Sequence, residues 1–163
     1  MPIPEFVADL RRHVGHLPLW LPGTTQVIVK DDSERPGEQL ILLVRRADSG
    51  TLALVSGIVD PGEHPADTAV REAWEEARVR VEVERLVDVR VVGPVHYPNG
   101  DVTSYVDHTF LSRWVSGEPT VGDDESTEVG WYPADDLPEL DLGHAEVARR
   151  ALAGEMGRFL GPV

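Results

Sequence analysis

The stretch GIVDPGEHPADTAVREAWEEARV, residues Gly57–Val79, decides how the rest of the chain is read. Its opening is punctuated by Gly57, Pro61 and Gly62, as a turn-forming segment would be. Proline is tolerated in a first helical turn and no glycine follows Gly62 until Gly93, so the pattern predicts a helix over Pro65–Ala77. At about 100° per residue, Glu72, Glu75 and Glu76 fall at roughly 0°, 300° and 40°, within one third of the circumference. The opposite arc carries Ala69, Val70, Ala73, Trp74 and Ala77, which predicts packing on a sheet with close approach at the alanines. Arg71 lies four residues before Glu75, where a salt bridge can hold that carboxylate. Three neighbouring carboxylates repel by about 1 to 3 kcal/mol per pair at about 5–6 Å and an effective dielectric of roughly 20–40. Two readings accommodate that cost. A solvated acidic face makes it small by screening. A hard-cation site cancels it, since Mg²⁺ takes carboxylate oxygens and completes its octahedron with waters and substrate phosphates.

Spacing separates the two. Gly57 is followed after five residues by Glu63, then after seven by Arg71-Glu72-Ala73, then after one by Glu75-Glu76, with Val79 closing the run. This resembles the Nudix box, a 23-residue signature, with Gly57, Glu63, Arg71, Glu72, Glu75 and Glu76 in register. The chain departs from the pattern at Arg78, where the family usually has glycine, at Val55-Ser56, where Pro-Gly is common, and at Ala73, smaller than the usual aliphatic. An L-residue in the left-handed conformation that glycine usually supplies there costs roughly 1 kcal/mol, unless the helix ends differently.

Outward from this segment, Ile3, Phe6, Val7, Leu10 and Val14 have helical spacing and predict a short helix before a Gly15–Gly23 linker. Thr25–Lys30 and Gln39–Arg45 read as strands around a turn at Asp31–Glu38, and Leu52–Val55 as a further short strand. Arg80–Tyr97 and Val102–Val115 flank Pro98-Asn99-Gly100-Asp101, and Asn-Gly between strand-like runs predicts a hairpin. A strand around Val129–Tyr132 and a helix around Ala145–Leu160 follow. The order of elements matches the resemblance on both sides of the box. It implies a Nudix-like α/β/α sandwich with a mixed β-sheet and an added N-terminal helix: residues 1–22 as helix and linker, 23–163 as the Nudix domain.

The chain of 163 residues has 15 Lys and Arg against 29 Asp and Glu, a net charge of −14. Gly57–Val79 contributes −4, and Ser116–Asp141, with nine acids and no Lys or Arg, contributes −9. Such acidity argues against a nucleic-acid polymer as partner, since phosphate binding needs clustered Lys and Arg, but leaves free nucleotides open. The absence of cysteine excludes disulfides, Cys-zinc sites and thiol catalysis. No apolar run approaches the roughly 18 residues of a membrane span and no signal pattern opens the chain, so a cytoplasmic protein without membrane contact is expected.

The resemblance implies Mg²⁺- or Mn²⁺-dependent hydrolysis of the phosphoanhydride bond in a nucleoside diphosphate linked to another moiety. Glu72, Glu75 and Glu76 would bind metal together with the Gly57 backbone carbonyl, and Glu63 and Arg71 would orient them. Glu72 and Glu76 would carry the catalysis, joined by a further acid from the later acidic loop. Glu125, six residues before Trp131, is favoured over Asp123, Asp124 and Glu128 by its similarity to the spacing in the nucleotide-sanitising branch. For substrate phosphates, Arg45 and Arg46 are best placed, and since strand neighbours face opposite sides only one can point into a given site. Trp20, Tyr97, Tyr105 and Phe110 are available for a ring to stack on, and Tyr97 opens a Tyr97–Asp101 segment similar to one found in some bacterial members. A homodimer is also implied, with the N-terminal helix and Trp20 at its interface. Two other readings remain: a non-catalytic Nudix module that binds a nucleotide or a protein, and an acidic interaction protein that binds a cation.

Overall fold

A computed structural model describes residues 3–140 and 143–155. The order of elements is α1 (Glu5–Val14), β1 (Leu19–Asp31), β2 (Gln39–Arg46), β3 (Leu52–Ala53), β4 (Val55–Ile58), α2 (Pro65–Ala77), β5 (Arg80–His96), β6 (Val102–Ser116), β7 (Ser126–Pro133) and α3 (His144–Leu152). The strands form one mixed sheet in the order β3-β2-β1-β6-β5, with β4 paired to β1 and β7 to β2. Strands β1 and β6 run parallel, from Leu19↔Thr103 to Val29↔Arg113, and the other strand pairs among the described residues are antiparallel. The β5–β6 hairpin closes at the expected place: the Tyr97 and Gly100 amides donate to the Asp101 and Tyr97 carbonyls, and Gly100 takes φ 88°.

Two helices cover opposite faces of this sheet. On one face Val27, Val29, Ile41, Leu43, Leu54 and Val87 pack with Val147, Ala148 and Ala151 of α3. On the other, Ile28, Leu42, Val44 and Val55 pack with Ala73 and Ala77 of α2. The alternation along β1 and β2 divides the aliphatics between the two layers. Each fully buried Leu, Ile or Val stabilises the fold by roughly 1.5–3 kcal/mol relative to exposure.

Four expectations need correction. The Gly15–Gly23 segment is no simple linker: β1 begins at Leu19, so the expected boundary between residues 22 and 23 falls inside a strand. Its parallel partner β6 supports that backbone despite Pro22 and Gly23, and Pro22 lends its carbonyl to the Val59 amide. Gly57 lies in β4, opposite Thr24 of β1, rather than in a loop. Helix α3 ends at Leu152, ahead of Gly154 at φ 71°; the expected continuation over 156–160 lies outside the described residues.

The fourth correction concerns the face that α2 buries. Val70 and Trp74, expected against the sheet, are 42% and 44% exposed. The buried positions are Thr68, Glu72 and Glu76 together with Ala69, Ala73 and Ala77, two adjacent i, i+4 rows. Two of the three box carboxylates are therefore packed into the protein. The alanines Ala69, Ala73 and Ala77 pack as expected, but the buried arc is turned from Val70 and Trp74 toward Glu72, for which Gly57 on a different element leaves the space. A Cβ on Gly57 would lie 2.0 Å from Glu72 Oε1.

Candidate active site

Helix α2 starts on His64, whose Nδ1 accepts the Ala66 amide at 3.2 Å with Pro65 at the first helical position. It ends on Arg78, a non-glycine residue in the left-handed conformation (φ 56°, ψ 26°) whose amide caps Ala73 and Trp74 carbonyls. Between these caps, Arg71 gathers the acids on one flank. Its guanidinium donates to both oxygens of Glu63 at 3.0 Å, to Glu72 Oε1 at 2.8 Å, to Glu75 Oε2 at 3.0 Å and to the Ile58 carbonyl at 3.2 Å. These hydrogen bonds, that to Glu63 foremost, raise the Arg71 pKa and lower that of Glu63, so this pair is held ionised.

The other flank is not compensated in this way. Glu72 is fully buried; Oε2 has no hydrogen-bond partner, and burial pushes its carboxyl up to about 8 in spite of Arg71. Glu76 is 4% exposed and accepts a long 3.4 Å hydrogen bond from the Ser56 amide. Burial first, and then the neighbouring charges of Glu72, Glu125 and Asp123, hold its pKa well above the usual carboxylate range. Partial desolvation raises Glu125 as well, although its surface remains open to solvent at the cavity rim.

Glu76, Gly57 and Glu125 all line one cavity of about 480 Å³. Its walls come from β1, β5, β6, the turn after β2 and, unexpectedly, α1 through Pro4, Val7 and Arg11. Arg11 fastens that helix: it donates to the Leu17 carbonyl at 2.6 Å and to the Val102 carbonyl and Thr103 Oγ1 at 3.1 Å, and its Nε lies 3.3 Å from Asp101. Of the two candidate phosphate arginines, Arg46 lines the cavity, paired with Asp48 at 2.6 Å, whereas Arg45 lies elsewhere, paired with Glu128 at 2.7 Å. Tyr97 is in the cavity and its hydroxyl lies 2.6 Å from that of Tyr105. Trp20 is 59% exposed outside it and Phe110 belongs to the interior.

Asp107 and Arg90 also line the cavity and were not singled out from the sequence, whereas Tyr105, a stacking candidate, lines it as well. Asp107 is 4% exposed and accepts from Thr25 at 2.8 Å and Thr109 at 3.0 Å. Alternation along β6 puts Thr103, Tyr105 and Asp107 on one face and was the available signal; that this face meets the cavity depends on the parallel pairing with β1.

The donor set suits a hard cation. Burying ionised carboxylates without a cation is strongly unfavourable, and Glu72 Oε2 is an orphaned buried oxygen with no other means of satisfaction among the described residues. Gly57, which a side chain would close, leaves room for the Glu72 carboxylate beside the β4 backbone. As they stand, no three carboxylate or imidazole groups among the described residues close around a point at ligand distance, and Arg71 holds one oxygen each of Glu72 and Glu75 to its own side. Ligation would therefore draw on the remaining oxygens of these groups.

Comparison with known proteins gives the family. The chain is 34% identical over 96 residues to a nucleoside triphosphate pyrophosphatase/Nudix hydrolase fusion protein of Bifidobacterium longum, a match that takes in 59% of the chain and 19% of that protein. It is 33% identical over 122 residues to a MutT-like protein of Streptomyces ambofaciens, covering 75% of the chain and 70% of the relative. Among solved structures, an ADP-ribose pyrophosphatase from Streptococcus suis superposes with a TM-score of 0.64 at 27% identity, over 85% of this chain and 97% of that one. The family model described as NUDIX domain matches residues 21–153, from the start of the cavity wall in β1 to the end of α3, and the chain belongs to that family.

Proposed function

We propose that the protein is a divalent-metal-dependent hydrolase that uses water to cleave the phosphoanhydride bond of a nucleoside diphosphate linked to another moiety. The observation that carries this reading is the buried Glu72–Glu76 row, in which Glu72 Oε2 has no hydrogen-bond partner and Glu76 lines a cavity of about 480 Å³. The volume suits a nucleoside diphosphate derivative rather than a polymer. Glu72, Glu75 and Glu76 would hold Mg²⁺ or Mn²⁺ with the Gly57 carbonyl. When bound, the metal supplies charge neutralisation at the phosphates and lowers the pKa of an attacking water.

The chain's own residues do the positioning. Arg71 keeps Glu72 and Glu75 in fixed rotamers and Glu63 locks Arg71 in turn. Glu125 and Glu76, on the same cavity, would take a proton from water, and Arg46, which also lines it, would meet a phosphate. Tyr97 and Tyr105 form the wall on which a ring can stack. The test is a panel of ADP-ribose, nucleoside triphosphates, dinucleoside polyphosphates and nucleotide sugars with Mg²⁺ or Mn²⁺, products resolved by chromatography. Metal-dependent release of a nucleoside monophosphate or pyrophosphate, lost in Glu76→Gln, is the expected result. No turnover across the panel, or full activity in Glu72→Gln and Glu76→Gln alike, rejects it.

A further inference from the structure

The residue that breaks the family pattern, Arg78, has a place in the fold that a glycine could not fill. It carries the left-handed cap of α2 at φ 56° in spite of its side chain, a conformation unfavourable for any L-residue. Its guanidinium lies 5.6 Å from the Trp74 ring centroid and donates to the Gly122 carbonyl at 2.6 Å. Gly122 belongs to the acidic loop between β6 and β7, 44 residues away in sequence. That loop is seated on the C-terminal carbonyls of α2: the Thr120 amide donates to Ala77 at 3.1 Å and the Gly122 amide to Glu76 at 2.9 Å. The fit leaves no slack, because a Cβ on Gly122 would lie 1.9 Å from the Glu75 carbonyl oxygen. Beyond Gly122 the chain delivers Asp123 to the Arg71–Glu75 side of the helix and Glu125 to the cavity shared with Glu76.

We propose that Arg78 is a positioning residue: by clamping Gly122 it sets the loop against the end of α2, and so holds Glu125 in the cavity where Glu76 stands. The proposal rests on the hydrolytic reading above. It assigns a task to the one box position whose residue type departs from glycine, and it explains why a strained cap is retained. The contact is long-range and charge-assisted, the kind of hydrogen bond whose loss is felt most.

The test compares Arg78→Gly, Arg78→Lys and Gly122→Ala in the full chain, each alone and with Glu125→Gln. Arg78→Gly restores the family residue and relieves the left-handed backbone, so its thermal midpoint is expected within about 3 °C of wild type. The Thr120 and Gly122 amides, followed by hydrogen exchange without metal or substrate, are expected to exchange about tenfold faster. With the substrate found in the panel, kcat falls about tenfold while KM stays within about twofold, since the loop orients an acid rather than holding the substrate. Arg78→Lys recovers most of the loss, and Gly122→Ala reproduces it from the other side of the contact. In the Glu125→Gln background, adding Arg78→Gly changes kcat less than about twofold, because both act through one group. Unchanged exchange and kcat in Arg78→Gly overturn the proposal, as does a kcat loss that persists in full beside Glu125→Gln. A wild-type protein inactive on every substrate overturns the hydrolytic reading and the positioning role with it, whereas unchanged Arg78→Gly kinetics in an active protein remove the positioning role alone.

Discussion

The two flanks of α2 are built from the same residue type and end in opposite electrostatic states. On one, Glu63 and Glu75 share Arg71 and sit partly open to water, and Arg71 holds the Glu63 carboxyl below its usual pKa. On the other, Glu76 and the free oxygen of Glu72 are buried, with a single long backbone hydrogen bond between them. Glu75 and Glu76 are adjacent in sequence, yet the 100° turn between them carries one to the arginine and the other into the protein. The difference teaches where the charge of this site is balanced by an internal cation and where it is not. Arg71 serves the balanced flank as a fixed internal counter-ion; the unbalanced flank opens on the cavity, with Glu125 beside it.

Breaking the unbalanced flank has the largest expected effect. Glu76→Gln lowers kcat at least 10³-fold, about 4 kcal/mol of transition-state stabilisation, measured by steady-state hydrolysis. In the metal-free protein the same change leaves stability intact or raises it, because a buried carboxylate is replaced by a neutral amide; chemical denaturation near pH 8 reads this out. Breaking the balanced flank does the reverse. Arg71→Gln leaves Glu63, Glu72 and Glu75 without their shared cation, and stability falls by about 2–3 kcal/mol, less than for a fully buried pair because water reaches part of the cluster.

The pH dependence sharpens the contrast. Glu72, pushed up to about 8, and Glu76 have folded pKa values above their unfolded ones. Their contribution is therefore fully present below the unfolded value of about 4.5 and is lost as pH rises through the folded value. Metal-free protein loses stability between these limits, and Mg²⁺, which needs ionised carboxylates, raises the thermal midpoint more at the alkaline end than at the acid end. An equal Mg²⁺ shift at both ends would remove the burial argument. The smallest effect belongs to Glu75→Gln, where stability changes by about 0.5 kcal/mol, since that pair is partly exposed and Arg71 keeps two other carboxylate partners.

Much of the fold was legible because each signal was local. Asn99-Gly100 set the long hairpin, Pro65 marked the start of α2, and the aliphatic runs in Thr25–Lys30 and Gln39–Arg45 gave the cores of β1 and β2. What failed involved partners distant in sequence. Pro22 and Gly23 read as a linker until β6 supplied their partner. Val70 and Trp74 read as packing residues, but the sheet takes the Glu72–Glu76 row. Arg45 and Arg46 could not be told apart, and the bulge between them at the β2–β7 pairing sends one to Glu128 and the other to the cavity.

By itself, the sequence determined the family through the spacing of Gly57, Glu63, Arg71, Glu72, Glu75 and Glu76, since covalent spacing on a helix places side chains to within a turn. Only the tertiary structure decided which of those carboxylates is buried, that Gly57 makes the room, and that α1 and the Arg78-clamped loop wall the cavity. The physical reason is that burial and countercharge are properties of what packs against a side chain, and here those neighbours come from segments far along the chain.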